Sequence, residues 1–528
     1  MDEANRKSII VGWAVALSLI ACLPIFLFQY PGLQDYPNHL ARAYILQNLD
    51  DPIFKHYFSV DYSPVPNLGW DLFALSAGRF MPLEYAGKIF VVLSCVVTFS
   101  GCFALNKAIV GRWTLAPLLI FPFVFNTGFN KGFLSFNFGI GVALWAAAWW
   151  ASLAENRWRA RLLGATLFST GLYLIHFYAW ACYGIFVLGW SFRKENLGTW
   201  NFNSIKRLLG RLIRDGLQAL PSALLALLWL NHTRSEKTSS VETFRSFQPP
   251  YSRISDLDRL IDLGTPFIND VLLVLACISF FLAIYLSRFR YRPGATIAIL
   301  LCVLLFFVLP SKIEETNFVT WRILLAGLFF LVASLDSSKE PGITPFPSFA
   351  IMIALITASI SVLHVQQWTI ARDSQTTLFR LLEAVPKGSS VFFVRDGTTD
   401  KELGTRAAGL YHIGAFAVLQ RHAIVQSLFT FAGQQPLRYK RVELQNAPER
   451  SNTFLPNLPP AFRAAGLNFR DHVGKFDYVI VHDDRFLGAK DDTSGESIGK
   501  LNSVSAIGPF RLYKTTDTNA SSKLSNKP

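Results

Sequence analysis

Apolar stretches long enough to cross a lipid bilayer recur along most of this chain, and this feature constrains its fold most. Because an α-helix rises about 1.5 Å per residue, about 20 apolar residues cross a hydrocarbon core of roughly 30 Å. Of the 528 residues, 51% are hydrophobic and 16% are charged, which is typical of a polytopic membrane protein. Eleven helical spans are predicted, at residues 9–29, 86–106, 114–128, 132–153, 162–176, 178–191, 215–231, 271–287, 294–310, 319–335 and 347–366. The fifth and sixth stretches are short, and we interpret them as a helical hairpin with His176 at its tip.

Lysine and arginine clusters predict the orientation of these spans, because short loops rich in both residues stay in the cytoplasm. The clusters are Arg6 and Lys7, Lys107 and Arg112, Arg157 to Arg161, Arg193 to Arg214, and Arg288 to Arg292. They share one side if the N-terminus is cytoplasmic, which places loops 30–85 and 232–270 and the C-terminal tail outside. The first stretch lacks a small-residue cleavage site, so we expect it to remain as an anchor in the cytoplasmic (inner) membrane.

The net charge of +14 does not indicate nucleic acid as a partner. Most of the excess lies in the predicted inside loops, and no basic module interleaved with aromatic residues is present. Membrane lipids are the expected partners of the outside cations, since anionic headgroups attract them. These cations are Arg42, Arg79, Lys88 and Arg322.

No cofactor is predicted. All six cysteines fall within predicted spans, and none follows residue 369, so a folded tail cannot rely on disulfides. The sequence has no Cys/His spacing for zinc, no glycine-rich P-loop and no G-x-S-x-G motif. The energy for any reaction would therefore arrive with the substrate.

The tail predicts a small extracytoplasmic α/β domain over residues 369–515, after a transmembrane domain at 1–368. Strands are indicated by "SSVFFVRDG" (389–397), "KFDYVIVHDD" (475–484) and "GPFRLYKT" (508–515), and a helix by residues 405–422. Residues 516–528 are expected to be a disordered polar end. The segment 429–439 could face the membrane-embedded part or cap the small domain, and the second interpretation is favoured.

The stretch "GLQDYPNHLARAYIL" (32–46) follows the first span and carries Asp35, His39 and Arg42. If residues 36–48 are helical, the three side chains share one face, because they are spaced four and three residues apart. Asp35 before Tyr36-Pro37 also fits an N-cap. Capping would not explain His39 and Arg42 on the same face beside a membrane, where charged groups are costly.

The order of these elements resembles a known class. A first span, an Asp-bearing outside helix and the Pro-rich "SPVPNLGWDLFALSAGRFMPLEYAGKIFVVLSCVV" (63–97) leading into a long second span are similar to the GT-C membrane glycosyltransferases. This class includes protein mannosyltransferases and lipid A aminoarabinose transferases. The resemblance covers residues 1 to about 110 in detail and the remainder as architecture.

This resemblance implies a sugar donor linked to a polyprenyl phosphate, and an acidic residue of the first outside loop that acts as base on a glycan, lipid or protein acceptor. The matching residue is Asp35, with His39 on the same face. Many members have an acidic pair here, whereas this chain has Gln34-Asp35. The pair Asp50-Asp51 before Pro52 is interpreted as a helix stop and N-cap, and no metal site is predicted.

Transfer from such a donor also needs cations for the departing phosphate. Arg42 is one candidate, and "SKIEETNFVTWRILL" (311–325) brings Lys312 and Arg322 to the outside ends of two spans. Arg322 beside Trp321 could equally be an interfacial anchor whose head snorkels to water.

A polar cavity is the last expected feature. "NTGFNKGFLSFNFGIG" (126–141) interrupts an apolar region with Asn130 and Lys131, which a cavity mouth between spans or a tight loop would explain. His176 could face the same cavity or serve as a packing residue. A transporter or flippase, or a non-catalytic subunit of an envelope assembly, remains as an alternative function. The spans show no internal repeat of the kind that transporters have.

Overall fold

The computed structural model describes most of the chain. The described residues are 3–153, 157–193, 201–236, 245–261, 271, 274, 289–291, 295–313, 316–337, 345–396, 408–426, 428–430, 433–440, 475–483 and 501–516. The predicted span 271–287 lies outside them except for residues 271 and 274, and so do residues 517–528 of the polar end.

Helices dominate the described chain. In chain order they are α1 (Glu3–Leu27), α2 (Tyr36–Gln47), α3 (Pro52–Tyr57), α4 (Gly69–Ala77), α5 (Leu83–Val110), α6 (Thr127–Asn130), α7 (Leu134–Ser152), α8 (Trp158–Ile175), α9 (Phe177–Trp190), α10 (Phe202–Gly216), α11 (Leu220–Glu236), α12 (Thr296–Val308), α13 (Val319–Ala333), α14 (Pro345–Leu382) and α15 (Phe416–Arg421). Short 3-10 helices lie at Ala116–Val124, Leu217–Ala219, Pro250–Leu260 and Ile413–Ala415. The predicted class, a helical membrane protein with a small C-terminal sheet, is confirmed.

Among the described residues, four helices are long and apolar enough to cross a membrane, namely α1, α5, α7 and α14. Three shorter apolar helices accompany them, namely α9, α12 and α13. The hairpin expected at the fifth and sixth stretches is present, because α8 and α9 contact each other and meet at His176.

The third predicted span is wrong as a transmembrane α-helix. Residues Ala116–Val124 form a 3-10 helix of nine residues, and all nine are buried. At a rise of about 2.0 Å per residue such a helix is about 18 Å long, well short of the roughly 30 Å of a hydrocarbon core. Pro122 inside this segment explains the difference, since it cannot donate the backbone hydrogen bond of an α-helix.

The described strands form one larger sheet and three small ribbons. They are β1 (Phe58–Val60), β2 (Arg245–Ser246), β3 (Phe289–Tyr291), β4 (Lys312–Ile313), β5 (Leu335–Ser337), β6 (Ser390–Asp396), β7 (Ile424–Val425), β8 (Leu437–Tyr439), β9 (Tyr478–Asp483), β10 (Leu501–Ile507) and β11 (Phe510–Thr515). The larger sheet has the order β10-β11-β9-β6-β7, in which β6 is parallel to β7 and β9. The strands predicted at 389–397, 475–484 and 508–515 are confirmed as β6, β9 and β11.

The helix predicted over 405–422 is shorter in the structure. Its described part contains the 3-10 turn Ile413–Ala415 and then the six-residue helix α15. A Cβ placed on Gly414 would overlap Cγ of Phe393 in β6. A glycine that packs this closely against the sheet contributes no side chain to an amphipathic face. The sequence pattern therefore overestimates the length of the helix.

The long helix α14 joins the membrane part to the sheet. Its 38 residues correspond to about 57 Å, more than a bilayer core needs, and its C-terminal part contacts β10 and β11. The helix runs without interruption past residue 368, where the domain boundary is expected.

In its described part the segment 429–439 pairs with the first loop, so the favoured interpretation as a cap of the small domain accounts for only some of its contacts. Strand β8 pairs antiparallel with β1, and Nη2 of Arg438 donates to Oδ2 of Asp61 at 2.7 Å. The hydroxyl of Tyr439 donates in addition to the carbonyl of Val425 in the sheet. The segment therefore ties the first loop to the C-terminal domain, and the two lie on the same side of the membrane part.

Candidate active site

Helix α2 forms where the sequence predicts it, and it is buried over most of its length. The backbone before it pairs with the polar break that precedes α7: the N–H groups of Gln34 and Asp35 donate to the carbonyls of Asn130 and Lys131 at 2.9 and 3.0 Å. Gly132 follows with a φ of +73°, and a Cβ there would lie 3.1 Å from the Asp35 nitrogen. This close approach in a left-handed conformation favours glycine.

The Asp35 carboxylate does not cap α2. Asp35 occupies the N-cap position, but it accepts no side-chain hydrogen bond from the first turn of α2, whose residues are all described. Its side chain is buried, and Oδ1 lies 3.5 Å from Nε2 of His412. By contrast Asp51 is a true cap, because its Oδ1 accepts from the N–H of Ile53 at 2.8 Å. The capping interpretation is therefore confirmed for Asp51 and wrong for Asp35.

Burial sets the protonation of the three groups at this point. It raises the pKa of Asp35 to about 7, against the opposing charges of Lys131, Arg322 and Arg42. It lowers the pKa of His412 to about 4 and that of His39 well below its usual range, with the Lys131 and Arg42 charges acting in the same direction. Near neutral pH, a carboxyl poised to titrate thus faces neutral imidazoles.

His412 is a site residue that sequence reasoning missed. It precedes the 3-10 turn Ile413–Ala415 of the C-terminal domain, and the ring of Phe429 lies 5.2 Å from its ring and 5.7 Å from that of His39. A single histidine within "GLYHIG" has no spacing that marks a site. The C-terminal domain covers the first loop at this point, and the Asp35 side chain is 12% exposed.

Arg42 forms a buried ion pair. Its Nε and Nη2 donate to Oδ1 and Oδ2 of Asp71 in α4 at 2.7 and 3.0 Å, and Nη2 also lies 3.3 Å from Nδ1 of His39. Both side chains of the ion pair are at most 2% exposed. The fork expected to hold the donor phosphate thus holds a carboxylate of the same chain, and it joins α2 to α4.

Arg322 lies in the first turn of α13 and is only 5% exposed. Its guanidinium lies 4.7, 5.4 and 5.0 Å from the ring centres of Phe133, Phe136 and Tyr178. Nη1 donates to the carbonyl of Asn317 at 2.6 Å, and Nε has no hydrogen-bond partner among the described residues. A cation this deeply buried does not snorkel, so the interpretation as an interfacial anchor is wrong.

The expected contact of outside cations with lipid headgroups is also wrong for Arg42 and Arg322, because both are buried. Arg79 is exposed, and Lys88 is half-buried with its amine 5.6 Å from the Tyr85 ring centre. These two cations stay predicted headgroup contacts.

Lys131 directly follows α6, and its charge acts on Asp35. Its Nζ donates to Oε1 of Gln34 at 2.8 Å and lies 5.9 and 5.8 Å from the rings of Phe318 and Tyr411. The structure therefore brings the predicted residues Asp35 and Lys131 together, with the Arg322 charge acting on Asp35.

The remaining predicted residues have identifiable contacts. Oδ1 of Asn130 lies 2.9 Å from Nε2 of His364 in α14. His176 caps α9, since its Nδ1 accepts from the N–H of Tyr178 at 3.2 Å, and its ring packs 5.4 Å from Phe136. Lys312 lies in β4 opposite Ser246 of β2. Within the part of the chain that the structure describes, no three His, Cys, Asp or Glu residues are grouped so that they could hold a metal ion.

Comparison with known proteins gives a likeness of structure only. No family model and no curated protein matches the sequence. A crystal structure of ArnT from Cupriavidus metallidurans bound to undecaprenyl phosphate matches with a TM-score of 0.49 and 11% identity, over 97% of this chain and 98% of that chain. The same protein in the apo state matches with the same score and identity, over 95% and 98% of the two chains.

Proposed function

We propose that this protein is a membrane glycosyltransferase that moves a sugar from a polyprenyl-phosphate-linked donor to a hydroxyl group of an envelope glycan, lipid or protein. The observation that carries the proposal is the Asp35 carboxylate. It is buried without a capping role, has a pKa of about 7, and lies in the field of Lys131 and Arg322. A carboxylate kept in this state is suited to accepting a proton near neutral pH.

The reaction assigns a task to each of these groups. The acceptor oxygen forms a bond to the anomeric carbon of the sugar while the bond from that carbon to the phosphate oxygen breaks. Asp35 takes the acceptor proton, and the electron pair of the broken bond leaves on the polyprenyl phosphate. That phosphate gains negative charge as it departs, so fixed cations beside it stabilise the transition state more than the ground state.

Arg322 is the proposed principal phosphate ligand. Its guanidinium is buried among aromatic rings, and Nη1 donates to the carbonyl of Asn317. An arginine fork can bind two phosphate oxygens at once. Lys131 would add a second charge, and Lys312 stays a predicted contributor. Arg42 is proposed to orient His39 and α2 through its bond with Asp71.

We also propose on which face of the membrane the site lies. The first loop and the C-terminal domain meet on one side, through β1 with β8 and through Asp35 with His412. We propose that this is the outer face of a bacterial cytoplasmic membrane, because the basic clusters lie in the opposite loops.

Turnover in proteoliposomes tests the proposal. Purified protein is supplied with a polyprenyl-phosphate sugar and an envelope extract, and both released polyprenyl phosphate and labelled acceptor are measured. We expect stoichiometric formation of the two products by the wild type and loss of both with Asp35→Asn. Movement of intact donor across the bilayer without cleavage, unchanged in the variant, would favour a flippase instead.

A further inference from the structure

Helix α10 has one buried face and one exposed apolar face. Ser204, Leu208 and Asp215 are buried against the protein. Phe202, Ile205, Leu209 and Ile213 are large apolar residues that are all exposed, three of them by more than half. Their spacing of three, four and four residues places them on one face of the helix. We call these four residues the apolar stripe of α10.

Cations accompany the apolar stripe. Lys206 and Arg207 are exposed, and Nη2 of Arg207 donates to the hydroxyl of Ser204 at 3.0 Å. Arg214 is half-buried, and its Nη2 lies 3.2 Å from Oδ1 of Asp215. The charge of Arg214 is thus partly balanced within the protein, whereas Lys206 and Arg207 carry theirs at the surface.

The apolar stripe continues into further exposed apolar residues. The 3-10 turn Leu217–Ala219 and α11 follow α10 directly, and Leu217, Leu220 and Leu224 are also exposed. Helix α11 overlaps the predicted span 215–231, whose first residues belong instead to α10 and the 3-10 turn. At the other end, α9 finishes at Trp190, whose ring lies 5.3 Å from the Arg193 guanidinium. Helix α10 lies between the end of the apolar helix α9 and the exposed leucines of α11, which is the position expected of a helix in the headgroup region.

The space behind α10 is a less suitable ligand site. A cavity of about 200 Å³ lies between α9 and α10, and its polar groups are paired with one another. The hydroxyl of Tyr183 donates to Oε1 of Gln218 at 2.5 Å, and that of Ser191 donates to Oδ2 of Asp215 at 2.9 Å. The cations that could bind an anionic ligand, Lys206 and Arg207, lie instead on the exposed side of α10.

We propose that α10 is an in-plane membrane helix that binds anionic phospholipid headgroups through Lys206 and Arg207, with its apolar stripe among the acyl chains. A helix with an apolar face flanked by cations has this mode of binding, and anionic lipids add to it electrostatically. The proposal concerns the face of the membrane opposite to Asp35 and is independent of the proposed reaction.

The depth of the apolar stripe is the first test. A nitroxide label is attached to Ile213→Cys in full-length Cys277→Ser protein, since the other native cysteines are buried. In nanodiscs of phosphatidylcholine and phosphatidylglycerol, we expect the label to be relaxed more by oxygen than by a water-soluble nickel complex. A label on exposed Lys387→Cys should show the reverse. Greater access of nickel to position 213, or shielding from both reagents by covering protein, would overturn the proposal.

Lipid selectivity is the second test. Spin-labelled phosphatidylglycerol and phosphatidylcholine are compared for the fraction immobilised by the protein. Each cation near an anionic surface contributes about a fivefold preference, so Lys206→Gln/Arg207→Gln should lower the phosphatidylglycerol preference by at least about fivefold. Glutamine keeps the helix propensity of both positions. The matched control is Lys387→Gln/Lys514→Gln, which should keep the preference. An equal preference in both double variants would refute the headgroup contact.

Discussion

Nε2 of His412 lies 3.5 Å from Oδ1 of Asp35, which joins the C-terminal domain to the loop that follows the first helix. Both side chains are at most 12% exposed, and Phe429 packs beside His412. The C-terminal domain therefore does more than cover the membrane part. It forms one wall of the candidate active site beside the proposed base.

The first prediction is the pH dependence of activity. Burial raises the pKa of Asp35 to about 7, so the ionised base is present above that pH and lost below it. We expect kcat/KM to rise with pH and to reach half its maximum near pH 7, whereas a carboxylate in water would already be ionised at about pH 5. A profile that is flat from pH 5 to 8 would contradict the assignment of Asp35 as base.

His412→Ala should shift that profile. Removing the imidazole admits water to Asp35 and reduces the desolvation that raises its pKa. We expect the acidic limb of the kcat/KM profile to move to lower pH, accompanied by a loss of maximal rate. His56→Ala is the control, because His56 is exposed in the same loop, and its profile should match the wild type. A purely structural role of His412 would lower the rate without moving the limb.

Local features of this fold could be predicted from the sequence. The pattern of α2, the strands β6, β9 and β11, and the hairpin at His176 depend on periodicity and breaker residues. The proximity of Asp35 and Lys131 could also be predicted, since both follow apolar stretches that are expected to end on the same side.

Long-range contacts account for what the sequence did not predict. Contact of His412 with Asp35 depends on how a separate domain docks, and no residue spacing encodes it. Arg42 has the sequence context of a ligand-binding cation, but only the structure shows that Asp71 already neutralises it. The nine-residue 3-10 helix was missed because hydropathy does not register Pro122 as a helix breaker.

The ion pair of Arg42 with Asp71 gives a prediction about stability. Asp71→Asn leaves a buried guanidinium without its countercharge and should destabilise the protein by roughly 3–5 kcal/mol. Replacing both residues, as Arg42→Met/Asp71→Leu, should recover most of the melting temperature because no charge is then buried. Donor binding by this double variant should persist. If the double variant is stable but no longer binds donor, Arg42 would instead be assigned as a phosphate ligand.

Arg322→Lys tests whether the Arg322 guanidinium binds the donor phosphate. Lysine keeps the charge but cannot bind two phosphate oxygens with a planar fork, nor stack on Phe133 and Tyr178 in the same way. We expect turnover to fall by roughly tenfold or more, on the scale of a lost charged hydrogen bond of about 1.5–3 kcal/mol. Arg79→Lys at an exposed position is the matched control and should turn over normally. Unchanged turnover and donor affinity in Arg322→Lys would restrict Arg322 to packing.

The comparison of Asp35→Asn with Asp51→Asn separates catalysis from capping. Both are carboxylates at the N-cap of a helix in the same loop, but only Asp51 makes the capping hydrogen bond. Because the amide cannot accept a proton, Asp35→Asn should lower transfer by roughly 10² or more while donor binding persists. Asp51→Asn keeps an oxygen that can cap and should retain activity.

Stability gives Asp35→Asn a second signature. The folded protein holds the Asp35 proton more tightly than the unfolded chain, since burial raises the pKa from 3.8 to about 7. Stability from this proton is full below about pH 4 and is lost as pH rises through about 7. The amide of the Asp35→Asn variant does not titrate, so its melting temperature should exceed that of the wild type increasingly from pH 5 to pH 8. A pH-independent difference between the two proteins, together with wild-type transfer, would mean that the base lies elsewhere.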